Sequence, residues 1–484
     1  MSPDLITAFD GVFNAAIPHM MTAGFVVSVV IMVLMAGQNV IYFIQLFIAY
    51  GVLSNRRVVP NTLQAWRQLN VTTMPISLLV PAYNEEATIV ENVRSMLALH
   101  YPNFEVIIIN DGSSDNTLKE VIEAYGLEPI IRPHEIEVIH KPIRGIYGSP
   151  HYKNLVVVDK VNGGKADALN AGINLSRFPL FCSVDADSLL EADALLRAVQ
   201  PFADDPDRVV AVGGTIRIAN GCSVRAGRVV SVGMPTNLVA LFQIVEYLRA
   251  FLMARLAWSK LDALMLISGA FGIFKRGTAI AVGGYSRDTV GEDMEIIVKL
   301  HRYMRERGED YEVKFVPDPV CWTEAPESLA VLGRQRRRWQ QGSLETFFKH
   351  KAMLFNRRYG IAGMLGFPHV LLVDVLGPPM EVLGYILIPF FWSLGAFDLD
   401  FLLAYVAFGF VFGVTISVGS LILEEMELKR FPSPGHLAVL TGVAVLENFG
   451  YRQINNIWRL MGYWQYLRGK TEWGKMTRSG FKPG

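Results

Sequence analysis

Phe181-Cys182-Ser183-Val184-Asp185-Ala186-Asp187 is the stretch whose reading decides the fold. A short apolar run closed by two aspartates reads as a buried strand with polar groups at its carboxyl end. The same grammar recurs on either side. Upstream, Ile76–Val80 runs into Pro81-Ala82-Tyr83-Asn84-Glu85-Glu86, and Phe104–Ile109 runs into Asn110-Asp111-Gly112-Ser113-Ser114-Asp115. Ile136–His140, Val209–Gly213 and Lys314–Val316 complete the set of expected strands. Helical patterns alternate with these runs between residues 75 and 320. That alternation predicts an α/β domain with a mostly parallel sheet covered by helices. In such sheets ligands bind beyond the carboxyl ends of the strands, where the polar clusters lie.

Two carboxylates separated by one residue repel each other unless a cation lies between them. Mg²⁺ or Mn²⁺ commonly takes one or two carboxylates and completes its shell with substrate phosphate oxygens. A solvated turn would carry the same Asp-Ala-Asp, and Asn110–Asp115 would equally suit a turn with a helix cap. Order along the chain separates these readings.

Composition sets the frame around this domain. Mean hydropathy is +0.30 and 51% of residues are hydrophobic, yet residues 11–55 contain no Asp, Glu, Lys or Arg. A span needs roughly 20 apolar residues. We expect an N-terminal transmembrane region over 1–57, with one long helix over 22–53 or a hairpin turning at Gln38-Asn39. Arg56-Arg57 place the N-terminus outside and the domain 58–342 in the cytoplasm. The run is too long, and lacks the basic start, for a cleaved signal. Interfacial helices are expected over 343–378, transmembrane helices over 379–423, and an interfacial or membrane helix with a C-terminal segment over 424–484. Glu381, Glu447 and Arg452 are costly in lipid, so they either face a polar interior or tie helices together. Cys182, Cys222 and Cys321 have no metal-ligand spacing and imply no disulfide framework. Zero net charge and the lack of a basic stripe exclude a general nucleic-acid binder.

Six motifs occur in order: Pro81–Glu86, Asn110–Asp115, Gly163-Gly164-Lys165-Ala166-Asp167-Ala168-Leu169-Asn170, Asp185-Ala186-Asp187, Gly291-Glu292-Asp293 and Gln335-Arg336-Arg337-Arg338-Trp339. Together they resemble the family 2 inverting glycosyltransferases of GT-A fold. Within that family the set is similar to the processive polysaccharide synthases that make poly-β-1,6-N-acetylglucosamine, chitin oligosaccharides, hyaluronan or cellulose. The resemblance covers 75–345 by motif and the membrane flanks by layout.

The resemblance implies a UDP-sugar donor, UDP-N-acetylglucosamine above others, and a growing glycan acceptor handled at a lipid bilayer. It implies Asp293 as catalytic base, and Asp187 with Asp185 as ligands of Mg²⁺ or Mn²⁺. Glu85, Asp111, Lys165, Asp185 and Arg338 would bind the nucleotide sugar, with Asp111 toward uracil and Lys165 toward the diphosphate. Ser268, Gly269, Gln335 and Trp339 would hold the acceptor, the indole offering a flat apolar surface to a sugar ring. Glu292 is given no catalytic role, and Arg336 and Arg337 are expected to face anionic lipid. Trp473 and Arg478, in Glu472–Arg478, resemble a gating segment, which requires an even number of spans after the domain. A transferase moving one sugar to a lipid acceptor is the alternative. The sugar, its linkage and any partner subunit stay open.

Overall fold

The computed structural model describes residues 3–55, 74–427 and 433–469. Trp473, Arg478, Arg56 and Arg57 lie outside the described residues. The strands are β1 (Ile76–Ala82), β2 (Phe104–Asn110), β3 (Glu128–Pro129), β4 (Ile143–Gly148), β5 (Leu155–Lys160) and β6 (Leu180–Val184), followed by β7 (Leu189–Leu190), β8 (Val209–Ile218), β9 (Ser223–Arg225), β10 (Arg228–Ser231), β11 (Phe271–Lys275) and β12 (Glu312–Thr323). One sheet runs in the order β3-β4-β5-β2-β1-β6-β11-β8-β12-β7, with β9 and β10 forming a separate ribbon. The central pairs β5–β2, β2–β1, β1–β6 and β8–β12 are parallel. This is the mostly parallel GT-A-like sheet expected from the sequence.

Strands β2, β5, β6 and β8 are buried nearly throughout, as strands covered on both faces must be. Register then aligns the strand ends. Ala82 lies opposite Asn110, and Asn110 opposite Asp159, so the polar clusters after β1, β2 and β5 meet at one rim.

The sheet departs from the sequence expectation in three places. Ile136–His140 is irregular, and Ile136 and Ile139 stand 71% and 69% exposed. The side chain of Asn174 explains this: its Oδ1 accepts from Glu137 N and Val138 N, and its Nδ2 donates to Val138 O. An amide has taken the place of a neighbouring strand, satisfying the backbone without pairing. The strands actually present there are β4 and β5. The third, β11, is antiparallel to both β6 and β8.

The N-terminal region is a single helix, Pro3–Ser54, so no turn occurs at Gln38-Asn39. Among the described residues, three helices are long and apolar enough to cross a membrane: Met21–Ser54, Ala362–Ser393 and Leu399–Met426. The chain is a membrane protein in that sense. The division expected between 378 and 379 is absent, because Pro378 opens the helix Gly377–Ser393 in its first turn, where a missing N–H costs little. π-helical turns at Ala362–Gly366 and Val370–Leu376 carry the preceding stretch into the same run. Two ion pairs fasten the sheet domain to the apolar C-terminal helices Leu399–Glu427 and Pro434–Leu446, Glu447 capping the second. Arg217 on β8 pairs with the fully buried Glu424, and Arg249 pairs with the fully buried Glu447. Glu447 also accepts from Ser417 Oγ at 2.6 Å and lies 3.6 Å from Arg452. It therefore ties helices together.

Candidate active site

The site grows from the strand ends. Beyond β1, the Asn84 backbone takes a left-handed φ of 58° and its side chain accepts from Ser114 N at 2.8 Å. Glu85 N donates to Thr117 Oγ1 at 2.8 Å, which locks the two upstream loops side by side. Beyond β2, the Asp111 carboxylate accepts from Gly163 N at 3.0 Å, Gly164 N at 2.7 Å and Lys160 Nζ at 2.6 Å. Asp111 is only 3% exposed. It holds the glycine turn that opens the Lys165–Leu175 helix.

Beneath that turn is a buried charge cluster that the sequence reading missed. Lys160 is fully buried, and its ammonium bonds Asp111 Oδ1, Asp167 Oδ1 at 2.7 Å and Val161 O at 2.7 Å. Asp167, also fully buried, accepts further from Lys141 N and from Arg287 at 3.0 Å. A lysine closing a strand that begins apolar, Val156-Val157-Val158-Asp159-Lys160, was the available signal.

Lys165 is the hub. Its ammonium pairs with Asp185, donates to Gly269 O at 3.1 Å and lies 3.8 Å from Glu292. Burial opposes its charge, but Asp185 and Glu292 more than offset that and raise its pKa. Because Phe271 sits opposite Val184, β11 delivers Ser268-Gly269-Ala270 directly beside Asp185. Gly269 N then donates to Asp293 Oδ2 at 3.2 Å. A Cβ at Gly269 would lie 2.8 Å from Lys165 Nζ, so a larger residue there would push the ammonium aside. Asp293 lies inside the helix Glu292–Arg307, one residue past the start, and the cap position belongs to Gly291.

Burial pushes the Glu292 carboxyl up to about 7; Lys165 opposes that shift and Asp293 reinforces it. The unfolded chain would ionise this group near 4.5. Between those two values the folded chain holds a proton that the unfolded chain has released, so stability falls as pH rises through that window. Glu292→Gln is therefore expected to raise the melting temperature more at about pH 8 than at about pH 5. Thermal melts of the reconstituted protein measure this, and equal shifts would contradict the buried acid.

Gln335, Arg338 and Trp339 lie on the helix Leu329–Lys349. They line one cavity of about 2410 Å³ together with Glu85, Asp111, Lys165, Asp185, Asp187, Ser268, Gly269 and Asp293. All the described candidate residues thus meet in one space. The helix is held against the Asp293 segment by glycine on glycine: a Cβ on Gly291 would sit 2.8 Å from Gly342 Cα. Arg336 corrects the sequence expectation. It is 3% exposed, not lipid-facing. Its guanidinium bonds Glu246 at 2.7 Å and stacks over the Trp339 ring at 4.2 Å, and Glu246 also accepts from Tyr451 OH at 3.0 Å. A (i, i+3) spacing puts Arg336 and Trp339 on one helix face, which the run of arginines concealed. The cavity continues to Glu381, Tyr385, Tyr405 and Arg452 of the apolar helices and the segment after them.

The fit to a divalent cation can be judged from the donors. Asp185 and Asp187 offer oxygen only, and an ammonium already bridges to Asp185. Among the described residues no third His, Cys, Asp or Glu joins them. Such a pair suits a hard cation that keeps places for phosphate oxygens. The residues fit Mg²⁺ or Mn²⁺.

The family model for glycosyl transferase family 2 matches residues 77–226, and that for glycosyl transferase family group 2 matches 180–416. Poly-beta-1,6-N-acetyl-D-glucosamine synthase of Staphylococcus epidermidis is 32% identical over 274 residues, 57% of this chain and 56% of that protein. The synthase of the same name from Staphylococcus aureus strain COL is 32% identical over 275 residues, with the same coverage. The chain thus spans about half the length of the curated relatives it matches. Among solved structures, a mannosyltransferase from Pyrobaculum calidifontis in complex with GDP-Man and Mn²⁺ superposes with a TM-score of 0.54 at 19% identity, over 91% of this chain and 98% of that one. That likeness is one of fold.

Proposed function

This chain belongs to glycosyl transferase family 2, and from that premise we propose that it is an inverting, processive β-glycosyltransferase that polymerises a UDP-sugar, UDP-N-acetylglucosamine above others. The reaction would run at the cytoplasmic face of the inner membrane, with the product passing outward between the apolar helices. One observation carries the reading: a single cavity joins the carboxylates, Trp339 and the polar residues of the membrane helices. The names of the relatives support the sugar and the polymer.

In this reading Asp293 takes the proton of the acceptor hydroxyl as it attacks, which places it on the acceptor side. The hydroxyl stands where an inverting glycosidase places water. Gly269 N fixes the carboxylate by donating to Oδ2. Lys165 and Arg338 face the diphosphate as a compact ammonium and a planar fork. Glu85 and Asp111 lie toward the base, and Asp111 also shapes the turn that aims Lys165. A cation held by Asp187 and Asp185 would supply Lewis-acid neutralisation of the departing diphosphate. Trp339 offers its indole to the acceptor ring, with Gln335 and Ser268 beside it. Trp473 and Arg478 would close the site from the C-terminal segment.

Membranes containing the protein, supplied with UDP-N-acetylglucosamine, test this directly through released UDP and product length. Polymer is expected. Products limited to one sugar on a lipid would reject the polymerase in favour of a lipid-acceptor transferase.

A further inference from the structure

Arg255 ends a π-helical segment, Leu248–Arg255, that continues the helix Leu238–Tyr247. π-turns are rare and concentrate at functional sites. Here the extra residue per turn presents Arg255 to the cavity that also holds Asp293, Met265, Leu266 and Ser268. Its guanidinium lies 3.7 Å from the centre of the Phe251 ring, which fixes the plane of the fork. Among the described residues no carboxylate lies within ion-pairing distance of it, and its Nη1 is shielded from solvent without a hydrogen-bond partner. Other arginines of this interior are matched: Arg217 with Glu424, Arg249 with Glu447, Arg336 with Glu246. Burial pulls the Arg255 guanidinium down to about 10, while the charge of Asp293 pulls it back up. It stays a cation at neutral pH.

A guanidinium with a shielded N–H and no carboxylate in ion-pairing contact is costly unless something supplies acceptors. The diphosphate side already has Lys165, so a further anion site is not what the geometry lacks. The donors already placed on the acceptor side, Gln335 and Ser268, are neutral, and Arg255 is a cation lining the same cavity as Asp293. We propose that Arg255 is an acceptor-binding residue, donating hydrogen bonds to hydroxyl or amide oxygens of the acceptor sugar while Phe251 supports its plane. This rests on the glycosyltransferase reading above and names a residue of its acceptor side. A guanidinium braced on an aromatic ring holds its donors in a fixed fork, which an ammonium cannot copy.

The test uses the full chain in lipid nanodiscs with UDP-N-acetylglucosamine as donor and a β-1,6-linked N-acetylglucosamine pentasaccharide as acceptor probe. Arg255→Met is expected to raise the KM for the pentasaccharide about tenfold or more, the effect of a lost charged hydrogen bond. UDP affinity, measured by calorimetry, is expected to be unchanged. Arg255→Lys should recover part of the acceptor affinity. An unchanged pentasaccharide KM in Arg255→Met beside an active wild type would overturn the assignment, and so would loss of UDP binding together with acceptor binding. A wild type that transfers no sugar to the pentasaccharide would overturn the polymerase reading and this assignment together.

Discussion

Replacing Asp293 by asparagine is expected to slow sugar transfer on the order of 10³-fold, the scale of a lost general base, while UDP affinity stays as it was. The carboxylate accepts from Met294 N at 2.9 Å through Oδ1 and from Gly269 N at 3.2 Å through Oδ2. An amide has one oxygen, so it can keep only one of those bonds, and its NH₂ cannot take a proton from an attacking hydroxyl. In the proposed reading the nucleotide is held elsewhere, by Lys165 and the loops after β1 and β2. Incorporation of labelled sugar, with UDP binding measured in parallel, separates the two effects. Undiminished synthesis would sink the role of Asp293.

The second large effect is structural. Lys160→Met would leave Asp111 and Asp167 facing each other across a methionine side chain, in a place where Lys160 and Asp167 are fully buried. Removing one partner of a buried ion pair costs about 3–5 kcal/mol, and for a domain of this size that lowers the melting temperature on the order of 10 °C. Arg287 still reaches Asp167, but it comes from the surface, with its side chain 42% exposed. Adding Asp167→Asn to Lys160→Met removes one of the stranded charges and should return part of the loss. A single mutant melting with the wild type would show that the cluster contributes nothing. A double mutant no better than the single would show that charge is not the reason.

How far the sequence foretold these arrangements depends on what kind of contact was involved. Parallel strands announce themselves, because burial on both faces demands continuous apolar runs such as Ile76–Val80 and Phe104–Ile109. β4 and β11 lie in less regular stretches, and β11 is antiparallel to its neighbours. Ile136–His140 had the composition of a strand, but a single amide, Asn174, answered its backbone; no local pattern reports a partner 36 residues away. The site was legible where spacing carries chemistry, as in Asp185-Ala186-Asp187. It was not legible where long-range packing decides. Arg336 looked like one more surface arginine until Glu246 and Tyr451 were found around it. Lys160 and Arg255 belong to none of the six motifs, Glu292 sits in one without a role of its own, and only their surroundings in the fold single them out.

The two arginine–glutamate pairs set a practical boundary. Arg217 and Arg249 belong to the sheet domain, yet their counter-charges, Glu424 and Glu447, come from helices that follow it in the chain. A shortened protein ending after residue 349, cut to gain solubility, would strip both arginines of their carboxylates at a newly bared apolar surface. Such a fragment should behave poorly in water even with every catalytic residue present. Biochemistry on this enzyme is therefore best planned in detergent or lipid from the outset, with the C-terminal helices kept as part of the catalytic unit.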